Sequence, residues 1–237
     1  MSIKKHKIKY ESEVKIYPNI IQPIKTLIPK WYKDLKLLHE NKIIDFQSGV
    51  MPKTMKNCVP FLDALTTGYA ITLPHDIAVG IDDNGEPWIL GHHEGETLIR
   101  KRENKYNQSF PKPNGYHKSD FAWRFPLSVT VPVGCSYIFT HPFNRFDLPF
   151  LTLTGVIDGG YILNAGGNVP FFIKEGFEGV IEKGTPIAQL IPFQHAQWSS
   201  EITPGLLELG KEHNERSVSH VLHGWYKKTW WTKKQYD

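Results

Sequence analysis

The chain has 237 residues, of which 40% are hydrophobic and 22% are charged, so it can bury a core and disorder is not expected. Its net charge of +4 is too small to indicate a nucleic-acid-binding protein by itself, because such proteins concentrate more positive charge on one face. The chain has only two cysteines, Cys58 and Cys135, which argues against a disulfide framework and against a thiolate zinc site. It has no apolar run near the ~18 residues of a membrane helix, which argues against a membrane span. We therefore expect a soluble intracellular protein.

The N-terminal part of the chain is expected to begin with a strand and a short helix. Apolar and polar residues partly alternate over residues 7–16, which predicts a strand, and the prolines spread over residues 18–29 predict an extended connector. A helix is expected to begin at the last of these prolines. Trp31, Leu35 and Leu38 would share one of its faces, because they are spaced by four and three residues.

A second short helix and a hairpin are predicted next. The helix is expected to run from Pro60 to Thr67 and to stop at Gly68. The strands YAITL and DIAVGI follow, and the turn formed by residues 82–85, DDNG, returns the chain as the strand EPWIL. Residues 101–120 are polar and contain proline and glycine, so they are expected to form a long loop.

From Phe125 onward, short apolar runs bounded by glycine, proline, asparagine or aspartate predict one strand after another. This rhythm is typical of an all-β sandwich or barrel. The runs are PLSVTVPVG, CSYIFTHPF, PFLTLTGVID, VPFFIKEG and PIAQLIPF. Four isoleucines and leucines in these runs are expected in the β core: Ile157, Ile187, Leu190 and Ile191.

The chain is predicted to end in a helix. The segment from Ser217 to Lys234 is expected to turn Val221, Trp225 and Trp231 towards the β core or a neighbouring subunit, with its lysines in water. Its aromatic and basic residues could also stack on single-stranded nucleic acid and contact phosphates. Docking of the tail is preferred over nucleic-acid binding, because lysine side chains often cover apolar surface while their charges stay in water.

Three motifs follow one another in the second half of the chain. They are VPVG at residues 131–134, GVIDGGY at residues 155–161 and GTPIAQL at residues 184–190. With these motifs, residues 125–193 resemble the core of the dUTPase and dCTP deaminase superfamily, which has a β-clip fold. The resemblance implies a mostly β protein with a β-clip-like, dUTPase-like core, decorated by short helices and a C-terminal helix.

The resemblance also implies roles for single residues. Asp158 would hold the attacking water and the sugar hydroxyl as a general base. Tyr161 would stack on deoxyribose or discriminate against ribose. Gln189 would lie near the phosphates, and Arg145 is the one arginine in the region that corresponds to the phosphate loop. A nucleotide hydrolase of this kind would use Mg²⁺, whereas a protein without that activity is expected to need no cofactor.

The sequence departs from the superfamily pattern at several places. The phosphate loop of the superfamily reads P-R-S, but residues 140–146, THPFNRF, keep only the arginine. Tyr161 is followed by Ile-Leu-Asn instead of R-G-E-I, and the glycine-rich C-terminal arm that closes the neighbouring active site is missing. Because phosphoanhydride cleavage depends on positioning and charge neutralisation, we expect a scaffold without catalysis rather than an active enzyme.

A second resemblance covers nearly the whole chain. The succession of IPKWYKDL, MKNCVPFLDALTTGYAITLPHDI, VPVGCSYIFTHPFN and GTPIAQLIPF is similar to a group of uncharacterised proteins encoded by tailed phages. This similarity implies a phage protein located in the host cytoplasm or in the virion, with a phage or host protein as a partner.

Histidines provide a further candidate site. His92 and His93 follow a predicted strand, and a metal ion there would need a third ligand such as His117, Asp120 or His141. Adjacent residues of a strand point to opposite faces, so the two histidines do not easily bind one ion. We therefore predict no metal site.

The favoured function is a non-hydrolytic binding or virion-assembly protein on a dUTPase-like scaffold. The alternatives are a divergent deoxynucleotide pyrophosphatase or deaminase relative and, third, a nucleic-acid or host-factor binder. A homo-oligomer is expected, with a trimer as the common form in the superfamily, and no membrane association. We expect one compact unit with three parts. Its N-terminal layer is formed by residues 1–124, its β-clip-like core by residues 125–200 and its helical tail by residues 201–237.

Overall fold

A computed structural model of the chain describes residues 6–12, 20–39, 53–93, 96–102, 111–124, 127–164, 169–219 and 224–237. The fold is mostly β with short helices, as the sequence predicts. The strands are β1 (Lys9–Ser12), β2 (Ile21–Pro23), β3 (Tyr69–Thr72), β4 (Ile77–Ile81), β5 (Pro87–Leu90), β6 (His92–His93), β7 (Glu96–Thr97), β8 (Ile99–Lys101), β9 (Tyr116–Trp123), β10 (Leu127–Thr130), β11 (Cys135–Thr140), β12 (Phe150–Thr152), β13 (Gly155–Asp158), β14 (Leu163–Asn164), β15 (Val169–Lys174), β16 (Gly179–Ile181) and β17 (Pro186–Gln194). The α-helices are α1 (Lys30–Asp34), α2 (Val59–Thr66), α3 (Leu206–Ser219) and α4 (Gly224–Thr229), and short 3-10 helices span Ile24–Leu27 and Met55–Asn57.

The strands pair antiparallel in several small sheets. The largest has the order β13-β11-β17-β3-β2, and a four-stranded sheet has the order β12-β15-β9-β8. Smaller sheets are formed by β1-β10-β14, by β16-β4-β5 and by the pair β6-β7. None of the helices within the described residues is both long enough and apolar enough to cross a membrane.

Aromatic side chains of the four-stranded sheet pack together in the hydrophobic core. Trp123 stacks on Phe171 with 3.6 Å between the ring centroids and meets Phe150 edge-on. The indole N–H of Trp123 donates to the Thr152 hydroxyl at 3.1 Å, and this hydroxyl donates to the backbone carbonyl of Ile187 at 2.6 Å. A buried polar chain therefore links β9 and β12 to β17, which satisfies groups that would otherwise be costly to bury.

The junction between α2 and β3 depends on Gly68. Its φ is +82°, and a Cβ atom there would lie 2.1 Å from the backbone oxygen of Leu190. Only glycine suits both the left-handed conformation and the close approach to β17. The helix stop predicted at Gly68 is confirmed, and so is the hairpin of β4 and β5, in which the Asp82 carboxylate accepts the backbone N–H groups of Asn84 and Glu86.

The predicted face of the first helix is wrong. Helix α1 has only five residues, and Leu35 already has an extended backbone after it. Tyr32 is the buried residue, with 3% of its surface exposed, whereas Trp31 is 39% exposed. The ring of Tyr32 stacks on Phe61 of α2 at 5.8 Å, and this contact decides which side of α1 faces inward.

Other expectations need correction at element boundaries. Residues 116–120 belong to β9 rather than to a long loop, and residues 103–110 lie outside the described part of the chain. The run PFLTLTGVID forms two strands, β12 and β13, which join different sheets. Of the strand predicted over residues 7–16, the described part contains β1 at Lys9–Ser12.

The C-terminal helix also differs from its prediction. It consists of α3 and the short α4, with residues 220–223, including Val221, outside the described residues. Trp225 packs on His213 of α3 with 4.7 Å between ring centroids, and it is not among the described side chains that pack against the β core. Trp231 follows the end of α4 at Thr229, and its spacing of six residues from Trp225 does not correspond to one helical face.

Candidate functional site

Asp158 lies at the end of β13, directly opposite Ser136 of β11. The Ser136 hydroxyl donates to Oδ1 of Asp158 at 2.8 Å and lies 2.6 Å from Nε2 of His195. A serine hydroxyl has one hydrogen to donate, and Ser136 donates it in the hydrogen bond to Asp158. The proton in the hydrogen bond between Ser136 and His195 must therefore be carried by Nε2 of His195, which is the donor. The exposed carboxylate of Asp158 is thus connected to an imidazole through a hydroxyl that is only 1% exposed.

Two of the sequence motifs, GVIDGGY and VPVG, meet at Asp158. The turn that follows Asp158 packs against the VPVG motif, where the N–H of Gly160 donates to the carbonyl of Val131 at 3.0 Å, and the N–H of Gly159 donates to the carbonyl of the next residue, Cys135, at 2.7 Å. A Cβ atom on Gly159 would lie 2.0 Å from the carbonyl oxygen of Pro132. The backbone N–H of His195 donates to the carbonyl of Gly134 at 3.0 Å, which brings the end of β17 to the same turn. The glycine after Asp158 is therefore required by close backbone approach.

Tyr161 stays close to Asp158 but points largely into solvent. Its backbone N–H reaches the carbonyl of Asp158 at 3.4 Å, and 62% of the residue is exposed. Burial raises the pKa of Tyr137 well above its usual value, and the nearby Tyr161 raises this pKa further. Asp158 and Tyr161 therefore form one group at the start of β11.

Gln189 lies elsewhere and is completely buried. Its side-chain oxygen accepts the backbone N–H of Phe143 at 2.8 Å, and its amide group donates to the carbonyls of Ala64 at 3.0 Å and Thr67 at 2.6 Å. Gln189 pairs with Thr140, four residues along β11 from Ser136. That separation is about 13 Å along the strand.

Arg145 lies in the loop between β11 and β12, in the region that resembles the phosphate loop. Its guanidinium donates to both carboxylate oxygens of Asp147, through Nε at 2.9 Å and Nη2 at 2.8 Å. Burial would raise the pKa of Asp147, but the hydrogen bonds and charge of Arg145 outweigh it and hold that pKa below its usual range. The indole N–H of Trp31 also donates to Asp147 at 3.2 Å.

His141 fixes the same loop from inside. Burial lowers the pKa of this imidazole and favours its neutral form. Its Nδ1 accepts the backbone N–H of Thr152 at 3.4 Å, so Nε2 carries the proton and donates to the carbonyl of Arg145 at 3.2 Å. His141 was considered as a third ligand for a metal ion at His92 and His93. The side chains of His92 and His93 are not among those that the structure describes.

The predicted site residues thus form two groups. Asp158 and Tyr161 lie at the start of β11, and Gln189 and the loop of Arg145 lie at its end. Ser136 and His195 were missed by the sequence analysis. They are 59 residues apart, and no local pattern predicts a contact that depends on the pairing of β11 with β13 and β17.

The C-terminal tail docks on the body of the protein. The indole N–H of Trp231 donates to the two carboxylate oxygens of Asp63 at 3.1 and 3.0 Å, and the Lys234 ammonium donates to Asp63 at 2.5 Å. The ring of Tyr236 meets Tyr69 edge-on at 5.7 Å. Beside this contact is a cavity of about 220 Å³, which none of the four predicted site residues lines.

Comparison with known proteins finds a structural similarity but no matching family. No family model and no curated protein matches the chain, so neither supports a phage group. The solved structure of the native EIAV dUTPase is similar to 59% of this chain and 84% of its own chain, with 16% identity and a TM-score of 0.30.

Proposed function

We propose that the chain is a non-hydrolytic binding or assembly protein on a dUTPase-like scaffold, encoded by a tailed phage. The phage origin is based only on the similarity of its sequence segments described above. The observation that supports the absence of hydrolysis is the separation of the predicted site residues into two groups at opposite ends of β11. Cleavage of a phosphoanhydride requires the base and the phosphate ligands to contact one substrate at the same time, and the residues of a single copy of the chain do not do so.

The residues expected to bind phosphate are also engaged elsewhere. Arg145 is paired with Asp147 through two hydrogen bonds, and Gln189 uses its oxygen and its amide group on backbone atoms. Asp147 therefore neutralises the charge of Arg145, and Gln189 has no amide hydrogen left to donate, so both residues are poorly suited to stabilise a transition state on a phosphate. Both residues hold the fold together in this arrangement.

The divergent nucleotide hydrolase remains a second candidate because of Asp158. Its carboxylate is exposed and is oriented by Ser136, which is itself bound to His195. Such a carboxylate can accept a proton from a water molecule. A hydrolase would still need a second copy of the chain to bring phosphate ligands to Asp158, together with Mg²⁺ as the expected cofactor.

The nucleic-acid alternative is less well supported, because two of the residues that it would use, Trp231 and Lys234, are engaged in docking, although Trp230 is exposed. Trp231 and Lys234 both bind Asp63, and the ammonium of Lys227 lies 5.8 Å from the ring of Trp231. Stacking on bases requires open aromatic faces next to free cations.

A nucleotide hydrolysis assay tests the proposal. The purified protein with Mg²⁺ should release pyrophosphate from dUTP, and ammonia or pyrophosphate from dCTP, far more slowly than about 1 per second, the low end of usual enzyme turnover. Asp158→Asn should then change nothing. Asp83→Asn, in the exposed turn between β4 and β5, is a matched control.

The opposite outcome would assign the hydrolase function. If the wild-type protein turns over between roughly 1 and 10³ times per second, and Asp158→Asn abolishes this activity while Asp83→Asn retains it, the protein is an enzyme. Far-ultraviolet circular dichroism of both variants establishes that loss of activity does not reflect loss of the fold.

A further inference from the structure

The cavity of about 220 Å³ beside the contact of Tyr236 with Tyr69 is enclosed by segments that are far apart in the chain. Strands β3, β11 and β17 each contribute a wall, through Tyr69, Cys135 and Pro192. Residues 6–8, which precede β1, and residues 235–236, which follow α4, complete the enclosure. A concave space of this kind is the usual form of a small-molecule site.

The cavity and Asp158 lie on opposite faces of the five-stranded sheet. Cys135 is paired with Gln194, and the next residue along β11, Ser136, is paired with Asp158. Successive residues of a strand point to opposite faces, and directly paired residues point to the same face. Cys135 and Gln194, which line the cavity, therefore point away from the face of Asp158. The cavity is thus separate from the site that the sequence motifs predict.

Hydrogen bonds hold the two enclosing segments in place. The side-chain N–H of Gln194 donates to Nε2 of His6 at 2.9 Å. The Tyr69 hydroxyl donates to the backbone carbonyl of Asp237 at 3.4 Å, and the ring of Tyr236 meets the ring of Tyr69 edge-on. Residues on both sides of the cavity are therefore positioned before a ligand arrives, which lowers the entropic cost of binding.

The volume of the cavity selects a small ligand. An apolar cavity of about 150 Å³ holds benzene, so a cavity of about 220 Å³ holds one ring with a small substituent. Pockets for drug-sized ligands have volumes of about 300–1,000 Å³. A nucleoside triphosphate is at least of drug size and is therefore too large for this cavity.

The walls of the cavity favour an aromatic ring. Tyr69, Phe193 and Tyr236 are aromatic, and Val131 and Pro132 add apolar surface. Aromatic rings pack favourably on one another in edge-on or offset arrangements. A ring in the cavity therefore gains these contacts and leaves water.

The charges of the lining favour an anion. Lys7 lines the cavity, and none of the described lining residues is acidic. Burial raises the pKa of Tyr69 and of Tyr236, so both phenols stay neutral and add no negative charge. The carboxylate of Asp237, which raises the pKa of Tyr69 further, lies 3.9 Å from the Lys25 ammonium. An anionic group in the cavity is therefore attracted by Lys7 and meets no carboxylate of the lining.

We propose that this cavity binds a small aromatic anion, which is one ring that carries a single carboxylate or a similar group. The ring lies among Tyr69, Phe193 and Tyr236, and the anionic group faces Lys7. This binding activity goes beyond the proposed function, because it uses neither Asp158 nor a contact with another chain.

Three compounds of the same shape test the charge preference. Benzoate, benzamide and benzamidine each have about nine non-hydrogen atoms and are negative, neutral and positive at neutral pH. Calorimetric titration of the full chain should give benzoate a dissociation constant on the order of 0.1–1 mM. Benzamide should bind at least about threefold more weakly, and benzamidine most weakly. Benzamidine that binds as tightly as benzoate, or benzoate that does not bind up to about 10 mM, overturns the inference.

Replacement of Lys7 isolates the effect of its charge. Lys7→Gln should weaken benzoate binding about three- to fivefold and change benzamide binding less than about twofold. Lys118→Gln is the matched control and should change neither, since Lys118 is exposed in β9 and does not line the cavity. Equal effects of the two lysine variants on benzoate binding overturn the inference.

Methyl NMR spectroscopy locates the bound compound. Benzoate should shift the methyl resonances of Ile8 and Val131, which line the cavity. The methyl resonances of Val156 and Ile162 should stay in place, because these residues are exposed on either side of Asp158 in the chain. If benzoate shifts Val156 and Ile162 instead, or only methyl groups outside the cavity, it binds elsewhere and the inference is wrong.

The two proposals fail in different experiments. A chain that hydrolyses dUTP overturns the non-hydrolytic function and leaves benzoate binding in place. A chain that neither hydrolyses dUTP nor binds benzoate overturns only the inference about the cavity.

Discussion

At the scale of single residues, polar side chains in the motifs have opposite surroundings. Asp158 is exposed and hydrogen-bonded to Ser136, whereas Gln189 is fully buried and bonded to three backbone groups. A buried amide of this kind is retained for the donors and acceptors it satisfies, because leaving them unpaired costs more than the bonds themselves contribute.

Replacement of Gln189 measures this structural role. Gln189→Leu keeps the side-chain volume but leaves the N–H of Phe143 and the carbonyls of Ala64 and Thr67 without this partner, so it should lower the free energy of unfolding by about 2–4 kcal/mol in urea. Gln194→Leu, at an exposed position of the same strand, should change it by less than about 0.5 kcal/mol. Equal small effects would mean that Gln189 is not needed for folding.

At the scale of elements, β17 contains three of the four residues that were predicted to lie in the β core. Ile187 and Leu190 are completely buried, as predicted, and Ile157 packs against the core while partly buried. Ile191 instead lies on the outer face, because successive strand residues point to opposite sides. Pro186–Leu190 of β17 are all buried because both faces of the strand are covered there, and the Gln189 side chain contacts the carbonyls of Ala64 and Thr67 at the end of α2.

The burial of Ile187 has a measurable consequence. Ile187→Ala should lower the free energy of unfolding by about 2–5 kcal/mol, because it removes buried methylene groups and leaves a cavity. Ile162→Ala makes the same chemical change at a position that is 61% exposed and should cost less than about 1 kcal/mol. A loss under about half a kcal/mol for Ile187→Ala would contradict its place in the core.

At the scale of the whole molecule, the chain leaves β17 at residue 195 and contacts the body again where Trp231 and Lys234 bind Asp63. The side chain of Asp63 is only 15% exposed and binds both Trp231 and Lys234. Its partly buried position makes these charge-assisted hydrogen bonds stronger than a surface ion pair.

Loss of this anchor should release the tail. Asp63→Ala is expected to lower the free energy of unfolding by about 1–3 kcal/mol and to speed proteolytic cleavage near residues 224–237. Asp34→Ala removes the exposed ion pair between Lys30 and Asp34 and should cost less than about 0.5 kcal/mol. Unchanged proteolysis in Asp63→Ala would show that other contacts hold the tail.

The sequence by itself determined the mostly β class, the helix stop at Gly68 and the hairpin of β4 and β5. Each of these depends on neighbouring residues, whose alternation or backbone conformation is set by local sterics. The buried positions of Ile187 and Leu190 were also visible as apolar runs between turns.

Only the tertiary structure decided how distant segments meet. The inward face of α1, the contact of Ser136 with Asp158 and His195, and the docking of Trp231 on Asp63 join residues that are far apart in the chain. Strand order and register bring such residues together, and neither follows from local periodicity. For the same reason, the motif residues could be found in the sequence, but their separation into two groups at the ends of β11 could not.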